Sequence, residues 1–407
     1  MRELLRSLAV FALLASLARA DTAADYVKQG QAFKAKGDAA AALQAFQKAL
    51  ALEPRSALIE DEIGFVLAAV NRRDEAIAHF EKSIALDASF APAHYHLGVA
   101  YWLQQDPNRG IPELETAVKL RPHDGEYRYR LGAAFNGVGH FREAAGELDE
   151  AVKLLPNNVA VWNELGLARQ KTGDITNAAA AYRRAVELDP SNADAHNNLG
   201  LMLVSTREAD AAIAEFQKVR QLDPSNVMAL VNIGFAYLQR ADLDKAIAQF
   251  RSVLAAHPEI AMAHYDLGVA LKEKDNLEEA EKELKRALEI DSTLSDAHYS
   301  LGIIYWQSGD FDRTVEHMQA AVRLRPDYDE AWFMLGTALK QKGDFEKAES
   351  ALKEAIRLNP SDPGPYNTLG QVLKLKGDSE ASKQAFAEGA RAKALKDAQS
   401  ADMLRKK

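Results

Sequence analysis

A chain of 407 residues that is 47% apolar can bury a core, and without cysteine it has no disulfide, no thiolate nucleophile and no lipid-bearing cysteine of the bacterial lipoprotein kind. Its 50 basic residues are outnumbered by 59 acidic ones, for a net charge of -9, which argues against the basic face expected of a nucleic-acid binder.

In chain order the first element is a leader. Arg2 and Arg6 precede an apolar run over 8–17, and Ala18-Arg19-Ala20 puts small residues at the cleavage positions. The run is too short to span a bilayer comfortably. The expectation is export to the periplasm or outer envelope of a bacterium with cleavage after Ala20; the rival is an uncleaved anchor. Loss of residues 1–20 removes three arginines and one glutamate and leaves a net charge of -11.

From there a glycine returns every 34 residues: Gly30, Gly64, Gly98, Gly132, Gly166, Gly200, Gly234, Gly268, Gly302, Gly336 and Gly370. A fixed period of this length is the signature of a repeat array, which leaves little chain for a separate catalytic domain. With each glycine at position 8, units start at 23, 57, 91, 125, 159, 193, 227, 261, 295, 329 and 363, and the last ends at 396. Positions 4, 7, 8 and 11 share one face of a first helix, and positions 20, 24 and 27 share one face of a second. A glycine inside a helix costs about 1 kcal/mol against alanine, so its recurrence predicts a close approach by the partner helix. Small residues at position 20, such as Ala42, Ala76 and Ala178, fit the same contact. Phe46, Phe80, Tyr182, Phe216 and Phe250 at position 24 are expected to fill the space between units.

Turn chemistry agrees. Gly-Asp pairs at 37, 173, 309, 343 and 377 suit a left-handed residue closing the first helix and an aspartate capping the second. Proline at 54, 122, 156, 190, 224, 258, 326 and 360 stops the second helix. Ala88 and Ser292 stand in its place in two units, where slightly looser junctions are expected. No proline follows the last unit, so its second helix is expected to run on through Arg391, Lys393, Lys396 and Arg405 and cover the end of the array.

The fifth unit places Trp162, Leu165, Gly166, Ala178, Tyr182, Ala185 and Pro190 at positions 4, 7, 8, 20, 24, 27 and 32. This pattern resembles the tetratricopeptide repeat, and the resemblance extends over residues 23–396. It implies an all-α, right-handed superhelical α-α solenoid over 21–396, with 1–20 as signal peptide and 397–407 as the end of a C-terminal capping helix and a polar tail. It also implies a concave side lined by positions 2, 5, 9, 12 and 13 of the first helices. Position 5 carries Tyr95, Tyr129, Asn163, Asn197, Tyr265, Tyr299, Phe333 and Asn367. Position 12 carries Lys34, Trp102, Asn136, Gln170, Lys272, Trp306, Lys340 and Lys374. Aromatics, amides and lysines suit an extended peptide; the alternative is that the rings pack between neighbouring first helices. The Tyr95–Trp102 and Tyr299–Trp306 pairs recur at the same two positions, as two grips on one ligand or as the record of a duplication.

Histidines 94, 196, 264 and 298 share position 4, where other units carry Trp162, Trp332 and Tyr366, so they are read as packing residues and not as metal ligands. Gly-x-Ser-x-Gly, His-Glu-x-x-His, phosphate-loop and calcium-loop motifs do not occur. The Lys and Asn pair with which co-chaperones of the family clamp a carboxylate is missing. The asparagine ladder of its sugar-transferase arrays is reduced to Asn198 and Asn232. The expectation is a non-enzymatic scaffold or adaptor of the cell envelope that binds a protein or extended peptide, without cofactor, metal or nucleic acid. The alternatives are a recognition subunit of a separate envelope enzyme and a self-assembling structural protein, as a homo-oligomer or in an envelope complex.

Overall fold

The computed structural model describes the backbone of residues 21–405 and the side chains of residues 21–398. The expected leader over 1–20 lies outside them. Among the described residues every regular element is a helix, two to a unit. In chain order they are α1 (Ala23–Ala35) and α2 (Ala39–Leu52), α3 (Ala57–Ala69) and α4 (Arg73–Leu86), α5 (Ala91–Leu103) and α6 (Pro107–Leu120), α7 (Gly125–Gly137) and α8 (Phe141–Leu154), α9 (Val159–Lys171) and α10 (Ile175–Leu188), and α11 (Ala193–Ser205) and α12 (Ala209–Leu222). The series continues with α13 (Val227–Gln239) and α14 (Leu243–Ala256), α15 (Ala261–Glu273) and α16 (Leu277–Ile290), α17 (Ser295–Gln307) and α18 (Phe311–Leu324), α19 (Asp329–Lys342) and α20 (Phe345–Leu358), and α21 (Pro363–Leu375) and α22 (Ser379–Arg405). None of them is long and apolar enough to cross a membrane.

The chain divides into two compact halves, with the boundary after Met202 in α11. Each half is a stack of helix hairpins, an α-α solenoid. Within the first half α3 touches α5, α5 touches α7 and α7 touches α9; within the second, α13 touches α15, α15 touches α17 and α19 touches α21. First helices thus pack on one another as well as on their own partners.

The recurring glycine makes the socket that holds each hairpin together. A Cβ on Gly30 would lie 2.5 Å from Phe46 Cε1, and one on Gly166 would lie 2.6 Å from Tyr182 Cε1. Leu114, Leu148, Leu284, Met318 and Leu352 fill the same socket opposite Gly98, Gly132, Gly268, Gly302 and Gly336. The position-24 side chain therefore sits against the glycine of its own unit, inside the hairpin, where the sequence had placed it between units. The absence of a side chain at position 8 is what brings the two helices close enough for this. Burial of each such side chain contributes about 1.5–3 kcal/mol, more than the helical cost of the glycine.

Every unit turns at position 15 with a left-handed residue. Six of these are glycines, at 37, 139, 173, 309, 343 and 377, and five are not: Asn71, Gln105, Arg207, Ala241 and Asp275. Hairpin packing imposes the backbone there whatever the side chain. Ala241, at φ 57°, has no polar group to hydrogen-bond locally. Ala241→Gly is expected to stabilise the second half by about 0.5–1 kcal/mol, relief of Cβ strain outweighing the added chain entropy; a urea midpoint that falls would contradict this. The capping aspartates behave as read: Asp38, Asp174, Asp310, Asp344 and Asp378 accept from the backbone N–H groups of Ala41, Asn177, Arg313, Lys347 and Ala381. The last helix, α22, has 27 residues and runs to Arg405 as expected.

Candidate functional site

In most units position 4 fastens the hairpin to the turn before it. Trp162 Nε1 donates to the Pro156 carbonyl at 2.9 Å and Trp332 Nε1 to that of Pro326 at 2.9 Å. The histidines do the same: Nε2 of His94, His196 and His264 donates to the carbonyls of Ala88, Pro190 and Pro258, each at 3.1 Å. The bond at Ala88 matches those at proline, so this junction is closed like the others. The second ring nitrogen is also engaged: Nδ1 lies 2.5 Å from a carboxylate oxygen of Glu113 in His94 and of Glu283 in His264.

In the ninth unit a histidine replaces that glutamate, and His298 Nδ1 lies 3.0 Å from His317 Nδ1. Tyr305 stacks on His317, and Lys285, Arg313, Arg323 and Glu316 are the charged groups nearby. Burial lowers both imidazoles below their ordinary range, and the neighbouring His298 also helps bring His317 down to about 4. Between pH 6.5 and 4 the folded chain then binds fewer protons here than the unfolded chain. The stability of this hairpin is complete above the ordinary histidine pKa and is lost as pH falls through that window. His317→Glu restores the histidine–carboxylate pair of the other units. It is expected to raise the melting temperature and flatten its dependence on pH across the window; an unchanged profile would contradict the pairing argument.

The position-5 and position-12 residues of the first half are fastened to neighbouring units. Tyr95 stacks on Tyr127, centroids 4.5 Å apart, and its hydroxyl donates to Glu126 at 3.3 Å; burial pushes that hydroxyl up to about 12. Trp102 lies over Gly137, where a Cβ would come within 2.5 Å of its ring. Arg130 covers Tyr129 at 5.1 Å. Asn136 Nδ2 donates to the Glu164 carboxylate at 2.7 Å, and the Oδ1 atoms of both Asn136 and Asn163 are buried without a hydrogen-bond partner. Asn197 is half-buried. In the second half Tyr265 is half-buried, Lys272 pairs with Glu273 at 3.2 Å, Tyr299 tilts on Tyr328 at 5.0 Å and Trp306 on Phe311 at 5.2 Å. Phe333 lies beside Gly364, Lys340 donates to Gln371 at 2.7 Å, and Asn367 and Lys374 are exposed.

On the first helices, large apolar side chains are exposed at positions 2, 9 and 13; a further set, including Leu52 and Leu222, is exposed on the second helices. In the first half Leu58, Phe65 and Leu103 are exposed, Leu103 at 56%; in the second half Met228, Phe235 and Met262 are exposed. At positions 2 and 13 the signal was present in the sequence, as large apolar residues where most other units carry small or polar ones; at position 9 it was not, since Val99, Leu167, Leu201, Val269 and Ile303 share it. Between α3 and α5, Phe65 and Leu103 help line a cavity of about 220 Å³, together with Ala68, Ala69, Phe80, His96, Val99 and Ala100. Polar groups surround it. His96 Nδ1 lies 2.8 Å from Asp61, Glu62 accepts from Gln31 at 3.1 Å and pairs with Lys34, and the Lys34 ammonium sits 4.6 Å from the Phe65 ring centre.

Position 6 holds a feature that the sequence reading missed. Both carboxylates there in the first half are answered from position 12 of the unit before, Glu62 by Lys34 and Glu164 by Asn136, while His96 is answered by Asp61 and Arg130 by Glu126. Asp266 in α15 occupies position 6 of the eighth unit and is only 5% exposed. In the preceding unit position 12 is Leu238 and position 9 is Phe235, so the register offers it no polar answer. Among the described residues no hydrogen bond or ion pair reaches it, and burial alone pushes its carboxyl up to about 7.

Stacked 34-residue helix hairpins with a glycine socket, a left-handed turn and a position-4 clip define an α-α repeat protein. The tetratricopeptide repeat model matches residues 104–159, 163–227, 232–295 and 299–363, and further models of this repeat match 26–56 and 64–105. The chain belongs to the tetratricopeptide repeat family. None of the curated proteins matches its sequence. Among solved structures it is similar to yeast Tom70, at 13% identity over 95% of this chain and 99% of the other with a TM-score of 0.50. It is also similar to the APC/C hetero-tetramer Cut9–Hcn1, at 13% identity over 86% and 90% with a TM-score of 0.50. These two likenesses show the fold alone. YrrB, described as a TPR protein with an unusual peptide-binding site, is 25% identical over 46% of this chain and 97% of its own, with a TM-score of 0.44.

Proposed function

We propose that this protein is a non-enzymatic scaffold whose first-helix face holds an extended segment of a protein partner. The observation that carries this reading is the pair of exposed Phe65 and Leu103 lining a cavity of about 220 Å³ between the first helices α3 and α5, with the exposed Leu58 on the same helix as Phe65. Isolated apolar residues on a surface need no explanation, but a cluster around a cavity with a polar rim is the form of a binding site. The leader-like residues 1–20 support an exported location in a bacterial envelope, which fractionation and N-terminal sequencing of the native protein would test. Replacing Leu58, Phe65 and Leu103 together by alanine is expected to abolish co-purification of the partner from envelope extract while leaving helical circular dichroism intact. Recovery of the same partner by the triple variant would refute the reading.

A further inference from the structure

We propose that Asp266 is the anchor for a lysine or arginine side chain of the extended partner segment, a step that rests on the first-helix binding face proposed above. Equivalent positions of the repeat single Asp266 out. At position 6 the chain answers Glu62 with Lys34 and Glu164 with Asn136, each supplied by position 12 of the preceding unit. The eighth unit keeps the carboxylate and loses its answer, because position 12 before it is Leu238. No cation pairs with Asp266 among the described residues; Lys272, further along the same helix, pairs with Glu273, and Arg325 pairs with Asp296 at 2.8 Å. A carboxylate that is 95% shielded from solvent and lacks a counter-charge gains more from an incoming cation than an exposed one would, since its desolvation has already occurred on folding.

The surroundings fit the rest of such a side chain. Lysine and arginine carry long apolar stems below the charge, and the approach on α13 and α15 is bordered by exposed Met228, Phe235 and Met262. The partner this surface selects is therefore an extended peptide with a basic residue among apolar ones.

The test uses random displayed peptides of about twelve residues, selected against the purified chain and then synthesised. Peptides whose binding is lost with Phe235→Ala are expected to contain a lysine or arginine. Exchange of that residue for norleucine is expected to weaken Kd about tenfold or more, Asp266→Asn to weaken it equally, and the two changes together to weaken it no further. Thermal melts of Asp266→Asn confirm that the variant is folded. Selected peptides that lack a basic residue, or that bind Asp266→Asn within about threefold of the parent, overturn the anchor and leave the binding face standing. If no selected peptide depends on Phe235, Met228 or Met262, the binding face in this half fails and the anchor falls with it.

Discussion

Gly234→Ala is expected to destabilise the second half by about 1–3 kcal/mol, although the same change in an exposed helix stabilises by about 0.5–1 kcal/mol. The reason is local. An alanine Cβ would lie 2.5 Å from Phe250 Cε1 and 2.8 Å from both Cδ1 and Cζ. The Phe250 ring is fully buried and has no room to retreat. Truncation of the ring by Phe250→Ala leaves a cavity instead and is expected to cost about 3–5 kcal/mol. The informative result is the double variant: with the ring gone, the new methyl group enters vacated space, so the two changes together should cost clearly less than their separate sum. Urea midpoints measure all three. Simple additivity, or a stable Gly234→Ala, would mean that the glycine is not the socket for position 24.

Asp266→Asn is expected to stabilise the protein, by an amount that depends on pH. The carboxyl titrates near 7 when folded, because burial penalises its charge, and near 3.9 when unfolded. Between those values the folded chain holds a proton that the unfolded chain has released, so stability falls as pH rises through the interval. Below about pH 4 the group is protonated in both states and carries no penalty; above 7 the whole penalty is present, with a ceiling of about 4 kcal/mol. The neutral amide of the variant mimics the protonated acid at every pH. The variant should therefore come close to the parent near pH 4 and melt several degrees higher near pH 8. An equal gain at both pH values would mean that Asp266 is not held protonated by its surroundings. The sign is opposite to that of the His298–His317 pair, whose contribution is lost on acidification, so the two substitutions separate cleanly in a pH series.

The hairpin was legible because glycine, alanine and the Gly-Asp turn are residue types chosen by geometry. A glycine recurring at one register position can be read without coordinates. The turns at Asn71, Gln105, Arg207, Ala241 and Asp275 were not legible, since nothing in those side chains asks for a left-handed backbone and only the packing of the two helices imposes it. The placing of Phe46 or Phe250 inside its own hairpin follows from the depth of the glycine socket, a distance that spacing along the chain does not contain.

The binding face divides in the same way. Positions 5 and 12 share one side of the helix, as the pattern implies, but whether Tyr95 is open to a ligand depends on Tyr127 of the next unit, which takes one face of its ring. Asp266 is one of 59 acidic residues and looks ordinary in the sequence. Its isolation appears only when position 6 is compared with position 12 of the unit before, which turns Lys34–Glu62 and Leu238–Asp266 into a pair and a mismatch.

Partner binding on the first-helix side of each stack, and not on the second helices, is directly testable. A photo-crosslinking residue placed singly at Phe65 or Phe235, or on the second helices at the exposed Leu52 or Leu222, tests it in native cells. The account predicts one covalent partner captured from Phe65 and Phe235 and not from Leu52 or Leu222. Capture of that partner from the second helices alone would contradict it.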